Sequence, residues 1–406
     1  MTGDAATGHP VGAELTLTVT SLAAGGDAVG RDDGGRVTFV PRAAPGDVVR
    51  VRVDEVHRSF ARASLVAVEQ PGPGRIEPAC ARFQAGPCGG CQWAHVDLAV
   101  QRASKHELVA RALRRAIGAG LELRAMATPA PAWGWRRRAR LHVAGGAVGY
   151  YAPRTHDVVD VAACPQLEPA LVRALAAVRA AAPPDGELHL LAGDAGAVVV
   201  ATAAAWPGAA ALVGQGGVVG VVAGDGRHGA IAVELEPGLW TAADEFAQAG
   251  SAGNAAIVAE VRAALPPEPG RLLELFAGAG NLTRIALEAG WTVDACDQVR
   301  PSRGLRHDRL RFAATAAERW PRAFGRQRYQ AVLLDPPRAG AAAVMPTLRD
   351  QGPARVVYVS CDPATLGRDL EVLVAAGATP RWATPIDTMP HTAHVEVVAV
   401  VDLPAR

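Results

Sequence analysis

The chain has 406 residues, half of them hydrophobic and a fifth charged, with 41 Lys and Arg against 40 Asp and Glu. That length supplies two or three domains with cores of their own, and the composition excludes a disordered or fibrous chain. A net charge of +1 excludes a global attraction to nucleic acid or membrane, and six cysteines are too few for a secreted disulfide scaffold.

The start "MTGDAATGHPVGAEL" lacks the basic residues and apolar run of a secretory signal, so a cytoplasmic protein is expected. Residues 11 to 70 alternate short β-rich runs with glycine turns: "ELTLTVTSLA", "GGDAVGR", "GGRVTFVP", "APGDVVRVRVDEV" and "RASLVAVEQP". Strands this short at this spacing predict a small OB-like all-β barrel. "PGPGRIEP" reads as the linker that ends it.

Residues 71 to 265 are expected to form a central α+β domain. It opens on Cys80, Cys88 and Cys91, spaced C-x7-C-x2-C around the knuckle-like "GPCGGC", with Cys164 further on before Pro165. Four thiolates suit tetrahedral zinc or a [4Fe–4S] cluster, and spacing does not choose between them. A basic helical stretch covers residues 98 to 117, followed by strand runs in "RLHVAGGAVGYYA" and "ELHLLAGDAGAVVVATAA". Between Arg102 and Arg140, ten Lys and Arg stand against Glu107 and Glu122. There "WGWRRRARLHV" sets Trp133 and Trp135 beside Arg136, Arg137, Arg138 and Arg140. Cations bind phosphate and aromatics stack on bases, so this stretch predicts a nucleic-acid face. "RPSRGLRHDRLR" further along is a candidate extension of it. The uncharged residues 195 to 224 are long enough to raise a membrane span, but Pro207, Gln215 and several glycines divide them into two buried strands and a connector.

From 266 to 406 the pattern becomes regular: "RLLELF", a glycine turn, a helix, "WTVDACD", "RFAATA", "AVLLD", "RVVYVS", a helix and "VEVVAVVDL". Continuous apolar strands separated by helices predict a parallel, doubly wound α/β sheet. In its first turn, "LLELFAGAGNLT", Gly278 and Gly280 let the backbone pass close to a ligand at a helix N-terminus. The third glycine of a dinucleotide fingerprint is missing, which disfavours NAD. Asp297 ends the second strand, where a carboxylate can accept both hydroxyls of a ribose. Asp335 and Cys361 end consecutive strands and are expected side by side in the crevice at the carboxyl edge. Glu396 interrupts an apolar run, so it must be exposed at an edge, paired or protonated. Cys296, in an apolar strand, reads as inert core.

"LLDPPRAG", "VVYVSCDPATLGRDL" and "PHTAHVEVV", in this order after "LFAGAGN", resemble the S-adenosylmethionine-dependent RNA 5-methyluridine methyltransferases. The likeness is closest to the branch that acts on bacterial 23S ribosomal RNA, whose TRAM domain the β-rich start resembles and whose iron–sulfur site the four cysteines match. The resemblance implies a class I Rossmann-like methyltransferase domain, S-adenosylmethionine as cofactor, and a [4Fe–4S] cluster ahead of zinc. It makes Cys361 the nucleophile and Glu396 the base, with Gln248 in "DEFAQAG", Phe276, Asn281, Asp297 and Asp335 as cofactor contacts. The implied partner is RNA, 23S rRNA first and a transfer RNA second, with no membrane, no obligate protein partner and a monomeric state. Two positions depart from the family pattern: Ala316 stands where a polar residue is usual, and residues 298 to 310 are short for a full helix. An exocyclic N-methyltransferase would leave Cys361 idle and expects an aromatic in place of Arg338. A radical mechanism lacks its C-x3-C-x2-C signature, and an inactive RNA-binding protein would have no use for an intact Cys361 and Glu396.

Overall fold

The computed structural model describes residues 9–86, 88–325 and 327–404. Residues 1–8, on which the expectation about a secretory signal falls, and Pro87 of "GPCGGC" lie outside the described residues. The chain divides into two compact units, Met1–Leu108 with Pro390–Ala393, and Val109–Met389 with His394–Arg406.

In the first unit, β1 (Glu14–Leu22), β2 (Ala28–Arg31), β3 (Val37–Val40), β4 (Val48–Val56) and β5 (Phe60–Gln70) close into a barrel of order β1-β2-β3-β5-β4. Alternation along the strands sends Leu17, Val19, Val49 and Val51 into the barrel and leaves threonines and arginines outside. The residues after the barrel, expected to be a linker, pack back onto it. Buried Asp47 accepts hydrogen bonds from the Gly72 amide (2.8 Å) and from Arg75 Nη2 (2.7 Å). A Cβ at Gly72 would lie 2.4 Å from the Pro45 carbonyl oxygen, so only glycine permits this approach. Trp93 Nε1 donates to the Gly26 carbonyl at 2.9 Å. The first compact unit therefore runs past the barrel as far as Leu108.

The second unit begins its strands with the two-residue β6 (Glu122–Leu123). A seven-stranded sheet follows, built from β7 (Arg138–Ala144), β8 (Ala147–Tyr151), β9 (Val158–Asp160), β10 (Gly186–Ala192), β11 (Val198–Thr202), β12 (Val218–Ala223) and β13 (Gly226–Gly229). Its order is β13-β12-β11-β10-β7-β8-β9, and the uncharged stretch becomes the parallel pair β11 and β12, as read. One face packs on helix Pro169–Ala180 through Leu141, Leu190, Val200, Leu171 and Leu175. A hairpin of β14 (Ala232–Glu236) and β15 (Leu239–Ala242) covers part of the other face, packing Val233, Leu235 and Leu239 on Leu191, Val199 and Ala201.

The second sheet comprises β16 (Arg271–Leu275), β17 (Thr292–Asp297), β18 (Leu310–Ala314), β19 (Ala331–Leu334), β20 (Arg355–Ser360), β21 (Thr379–Ile386) and β22 (Glu396–Asp402), edged by β6. Its order is β18-β17-β16-β19-β20-β22-β21-β6, parallel from β18 to β20. The expectation of an all-parallel sheet needs correction, because β22 runs antiparallel to both neighbours. Residues 387–395 are too few for a crossover helix, so the chain must turn back. β21 escapes the sequence reading because Pro380 and Pro385 in "TPRWATPI" look like breakers. The sheet accepts them because β21 shifts register between Pro380 and Trp382, and its outer neighbour β6 pairs only with Trp382 and Ala383. No helix occupies residues 298–309, as expected. Among the described residues no helix is long and apolar enough to cross a membrane.

Candidate active site

Strand order reverses between β16 and β19, the switch point where open α/β sheets leave a crevice beyond their carboxyl ends. A cavity of about 760 Å³ opens there. It is lined by Gln248, Phe276, Gly278, Asn281, Asp297, Asp335, Cys361 and Glu396, so eight residues predicted from the sequence meet in one place. Gly280 does not line the cavity; at φ +98° it shapes the turn, and a Cβ there would sit 2.6 Å from Leu305 Cδ1.

The cofactor side is built by the turn after β16. Phe276 takes φ +65°, a left-handed conformation costly for a non-glycine residue. Asp297 at the end of β17 holds this turn by accepting the Gly278 amide at 3.0 Å. Open space lies where a Cβ of Gly278 would point. Asn281 opens helix Asn281–Glu288 and gives its Nδ2 to Asn254 Oδ1 at 2.7 Å. Acceptors, exposed backbone and room together fit a nucleoside-containing cofactor. Glu274, which the sequence reading passed over, is 2 % exposed within β16 and accepts Thr283 Oγ1 at 2.6 Å. Burial pushes it up to about 8, opposed by Thr283 and reinforced by Asp335. Its signal, a carboxylate inside an apolar strand, is the one that singled out Glu396.

The reactive side is fixed from two strand ends and a helix cap. β19 and β20 are neighbours, so Asp335 and Cys361 follow their carboxyl ends together. Asp362 caps helix Pro363–Ala375, its Oδ1 accepting the amides of Ala364 (2.9 Å) and Thr365 (3.0 Å). Cys361 thus sits just outside the positive end of that helix. Buried Asp369 ties the loop to the sheet by accepting the Ala341 amide at 2.6 Å and the Tyr358 hydroxyl at 2.7 Å. Gly340 makes the loop fit, since a Cβ there would lie 2.7 Å from Asp369 Oδ2.

Glu396 is not on an exposed edge. It begins β22, between β20 and β21, and is 5 % exposed. Because β22 is antiparallel, its amino end reaches the same rim as the carboxyl ends of its parallel neighbours. Burial pushes Glu396 up to about 8, with Asp335 adding to the shift and Arg338 opposing it. Burial likewise pushes Asp335 up to about 7. The Cys361 thiol is pushed up to about 11 by burial and by Glu396, while Arg338 draws it down. Arg338 Nη2 lies 3.0 Å from His394 Nε2, and both residues line the cavity. Near neutral pH the Cys361 thiol is therefore held protonated and both carboxyls titrate far above the ordinary carboxylate range, while the Arg338 charge favours the ionised forms of Cys361 and Glu396. Phe246, also missed, stands 60 % exposed on the cavity wall.

Other predicted residues fall differently. Lys105 is fully buried and Trp135 is 3 % exposed, so neither belongs to a surface that grips nucleic acid. Trp135 is packed where the backbone of Gly250 crosses it, and Arg136 lies over its ring at 4.8 Å. Cys80, Cys88 and Cys91 belong to the first unit and Cys164 to the second; all four are half-buried and unbridged. Among the described residues no group of three or more His, Cys, Asp and Glu is gathered to hold a metal ion. Thiols remain the donor type that zinc and iron–sulfur clusters take. Cys296 is fully buried and pushed up to about 12, an inert thiol as expected.

Comparison with known proteins matches residues 10–66 to the TRAM domain and residues 323–402 to the tRNA (Uracil-5-)-methyltransferase family. The 23S rRNA (uracil(1939)-C(5))-methyltransferase RlmD of Pectobacterium carotovorum is 33% identical over 422 residues, covering 95% of this chain and 93% of its own. An uncharacterized RNA methyltransferase of Thermosynechococcus vestitus is 33% identical over 456 residues, covering 96% and 98%. Among solved structures, the Pyrococcus abyssi tRNA (uracil-54, C5)-methyltransferase in complex with S-adenosyl-L-homocysteine superposes with TM-score 0.70 at 20% identity, over 95% of this chain and 100% of that one. That likeness is one of fold.

Proposed function

We propose that this chain, which belongs to the RNA uracil-C5 methyltransferase family, transfers a methyl group from S-adenosylmethionine to C5 of a uridine in 23S rRNA. The observation that carries the reading is the convergence of Cys361, Asp335 and Glu396 on one cavity beside a nucleoside-shaped turn.

Uracil C5 is too weak a nucleophile to displace a methyl group unaided. Cys361 Sγ adds to C6, and the ring electrons it releases collect at C5 as an enolate. S-adenosylmethionine supplies the electrophilic methyl carbon that C5 takes up. Glu396 then accepts the C5 proton, and the returning electron pair expels the Cys361 thiolate and restores the ring. Both groups must ionise to act. Arg338 and the helix end beside Cys361 favour the charged thiolate, and Arg338 also favours the Glu396 carboxylate. Attack at the ring edge requires the uridine to leave its stack, and the exposed Phe246 offers a face for the extruded base. Asp297 and Asn281 fit the cofactor's ribose and turn, with Gln248 and Phe276 beside them.

The resemblance of Cys80, Cys88, Cys91 and Cys164 to the family's iron–sulfur pattern, with thiols as the donor type, supports a resident [4Fe–4S] cluster ahead of zinc, and no step of methyl transfer runs through it. Iron and sulfide assays with electron paramagnetic resonance on anaerobically purified protein test this; zinc in place of iron would overturn it. The same reading takes residues 11–70 and 71–265 as the RNA-holding parts and 266–406 as the methyl-transferring part of a cytoplasmic monomer.

The decisive experiment incubates wild type and Cys361→Ala with 23S rRNA or transfer RNA transcripts and methyl-labelled cofactor, and maps 5-methyluridine by mass. Wild type labels one 23S uridine. The variant still binds S-adenosylmethionine in calorimetry but labels nothing. Persistent methylation by Cys361→Ala would end the covalent scheme, and label confined to transfer RNA would reassign the substrate.

A further inference from the structure

Strand alternation places Arg138, Arg140 and His142 of β7 on the face opposite Ala139, Leu141 and Val143, which belong to the core under helix Pro169–Ala180. On the same face β10 sets His189 opposite Arg140 and Glu187 opposite His142. β8 pairs Gly149 with His142 and so brings Tyr151 to this side, where the His142 and Tyr151 rings stack at 3.6 Å and 13°. The hairpin β14–β15 packs on residues of β10, β11 and β12, in a cluster that includes no residue of β7 or β8. What stays open is a band of cations and an aromatic pair. The Glu187 carboxylate in it is already taken by Arg140 and His189.

The band starts inside the catalytic cavity, because Arg136, Arg138 and Arg140 line it together with Cys361. Arg138 is half-buried and its Nε has no hydrogen-bond partner. Burial works against its charge, and Arg140 and Arg136 repel it more than Glu187 and Asp244 compensate. A desolvated guanidinium crowded by other cations is costly until an anion completes it. The acids at the Cys361 end of the cavity are needed there, so the anion must arrive with the ligand. A phosphodiester matches the planar guanidinium fork. A strand leaving the cavity over Arg140 then reaches the His142–Tyr151 stack, where a base finds a π face.

We propose that this open half-face is the track for the single-stranded RNA flanking the target uridine, with Arg138 and Arg140 holding successive phosphodiesters and Tyr151 stacking a base. The proposal rests on the RNA-methylation reading above, and its test separates the two. A uridine-containing oligoribonucleotide cut from 23S rRNA is used for fluorescence anisotropy across a salt series and for steady-state methylation. The proteins compared are wild type, Arg138→Ala with Arg140→Ala, the corresponding double lysine variant, Arg140→Glu and Tyr151→Ala.

The double alanine variant should raise the RNA KM at least tenfold while kcat stays within threefold and S-adenosylmethionine affinity is unchanged. Its plot of log binding constant against log salt should be shallower by about 1.4, from about 0.7 per phosphate contact on a single strand. The lysine pair should restore that slope, and Tyr151→Ala should raise KM without altering it. Arg140 is exposed, so Arg140→Glu keeps the fold and must by itself raise the RNA KM. An unchanged KM and salt slope in the variants, beside an active wild type, would overturn this inference alone. Loss of S-adenosylmethionine affinity instead of RNA affinity would also overturn it, by making the anion the cofactor carboxylate. A wild type that methylates no RNA would bring down the functional reading and this inference with it.

Discussion

Replacing Glu396 by Gln separates its chemistry from its place in the fold. The carboxyl is 5 % exposed and burial pushes it from 4.5 up to about 8, so at neutral pH the folded protein holds it uncharged. Glutamine copies that shape and neutrality. Because the folded protein binds this proton more tightly than the unfolded chain, stability is fully present below about 4.5 and declines as pH rises. The decline levels off above about 8. At about 1.4 kcal/mol per pH unit, wild type should lose about 3 kcal/mol between pH 5.5 and 8.5 through this one group. The variant lacks that loss. Asp335 adds to the Glu396 shift and is coupled to it, so the difference between the two proteins reports that pair, with Glu396 its main member. Urea unfolding of both proteins at pH 5.5, 7 and 8.5 measures it: the advantage of Glu396→Gln should grow with pH by about 3 kcal/mol. In the presence of RNA and cofactor the same variant should stall as a covalent protein–RNA adduct that survives a denaturing gel. Parallel stability curves would refute the buried neutral carboxyl, and free turnover would remove Glu396 from the role of base.

Two further substitutions probe the supports of the reactive side. Asp369→Ala strands two donors, the Ala341 amide and the Tyr358 hydroxyl, at about 1–3 kcal/mol each, so a loss of about 2–6 kcal/mol in urea unfolding is expected. Lower kcat should accompany it as the loop bearing Arg338 loosens, and unchanged stability would dismiss Asp369 as its anchor. Arg338→Gln removes the positive charge that draws the Cys361 thiol and the Glu396 carboxyl down. The pH of half-maximal methylation should therefore rise, and an unshifted pH profile would show that Arg338 does not ionise the site.

Much of the site was legible because its signals are local. A strand that ends in Asp335 or Cys361, a glycine turn after "LLELF" and an acid at the end of "WTVDACD" each announce themselves within a few residues. The same holds for the barrel, whose short alternating runs dictate a half-buried sheet wherever it closes. Trp135 shows where local pattern misleads: an aromatic among arginines reads as a stacking platform, yet the crossing of Gly250 buries it. The residues after the barrel mislead in the same way, since Gly72 looks like a linker until Asp47 is seen beneath it.

By itself the sequence determined which residues line the cavity and which strand ends present them, because each of those choices is made by neighbours along the chain. Only the tertiary structure decided the state of Glu396. Its burial depends on β22 entering between β20 and β21 in the reverse direction, a pairing of distant segments that brings its amino end to the rim shared by Asp335 and Cys361. Likewise, Arg138 becomes part of the cavity only because a sheet formed far earlier in the chain lines it. Contacts between remote residues set desolvation and field, and those set what a carboxyl, a thiol or a guanidinium can do.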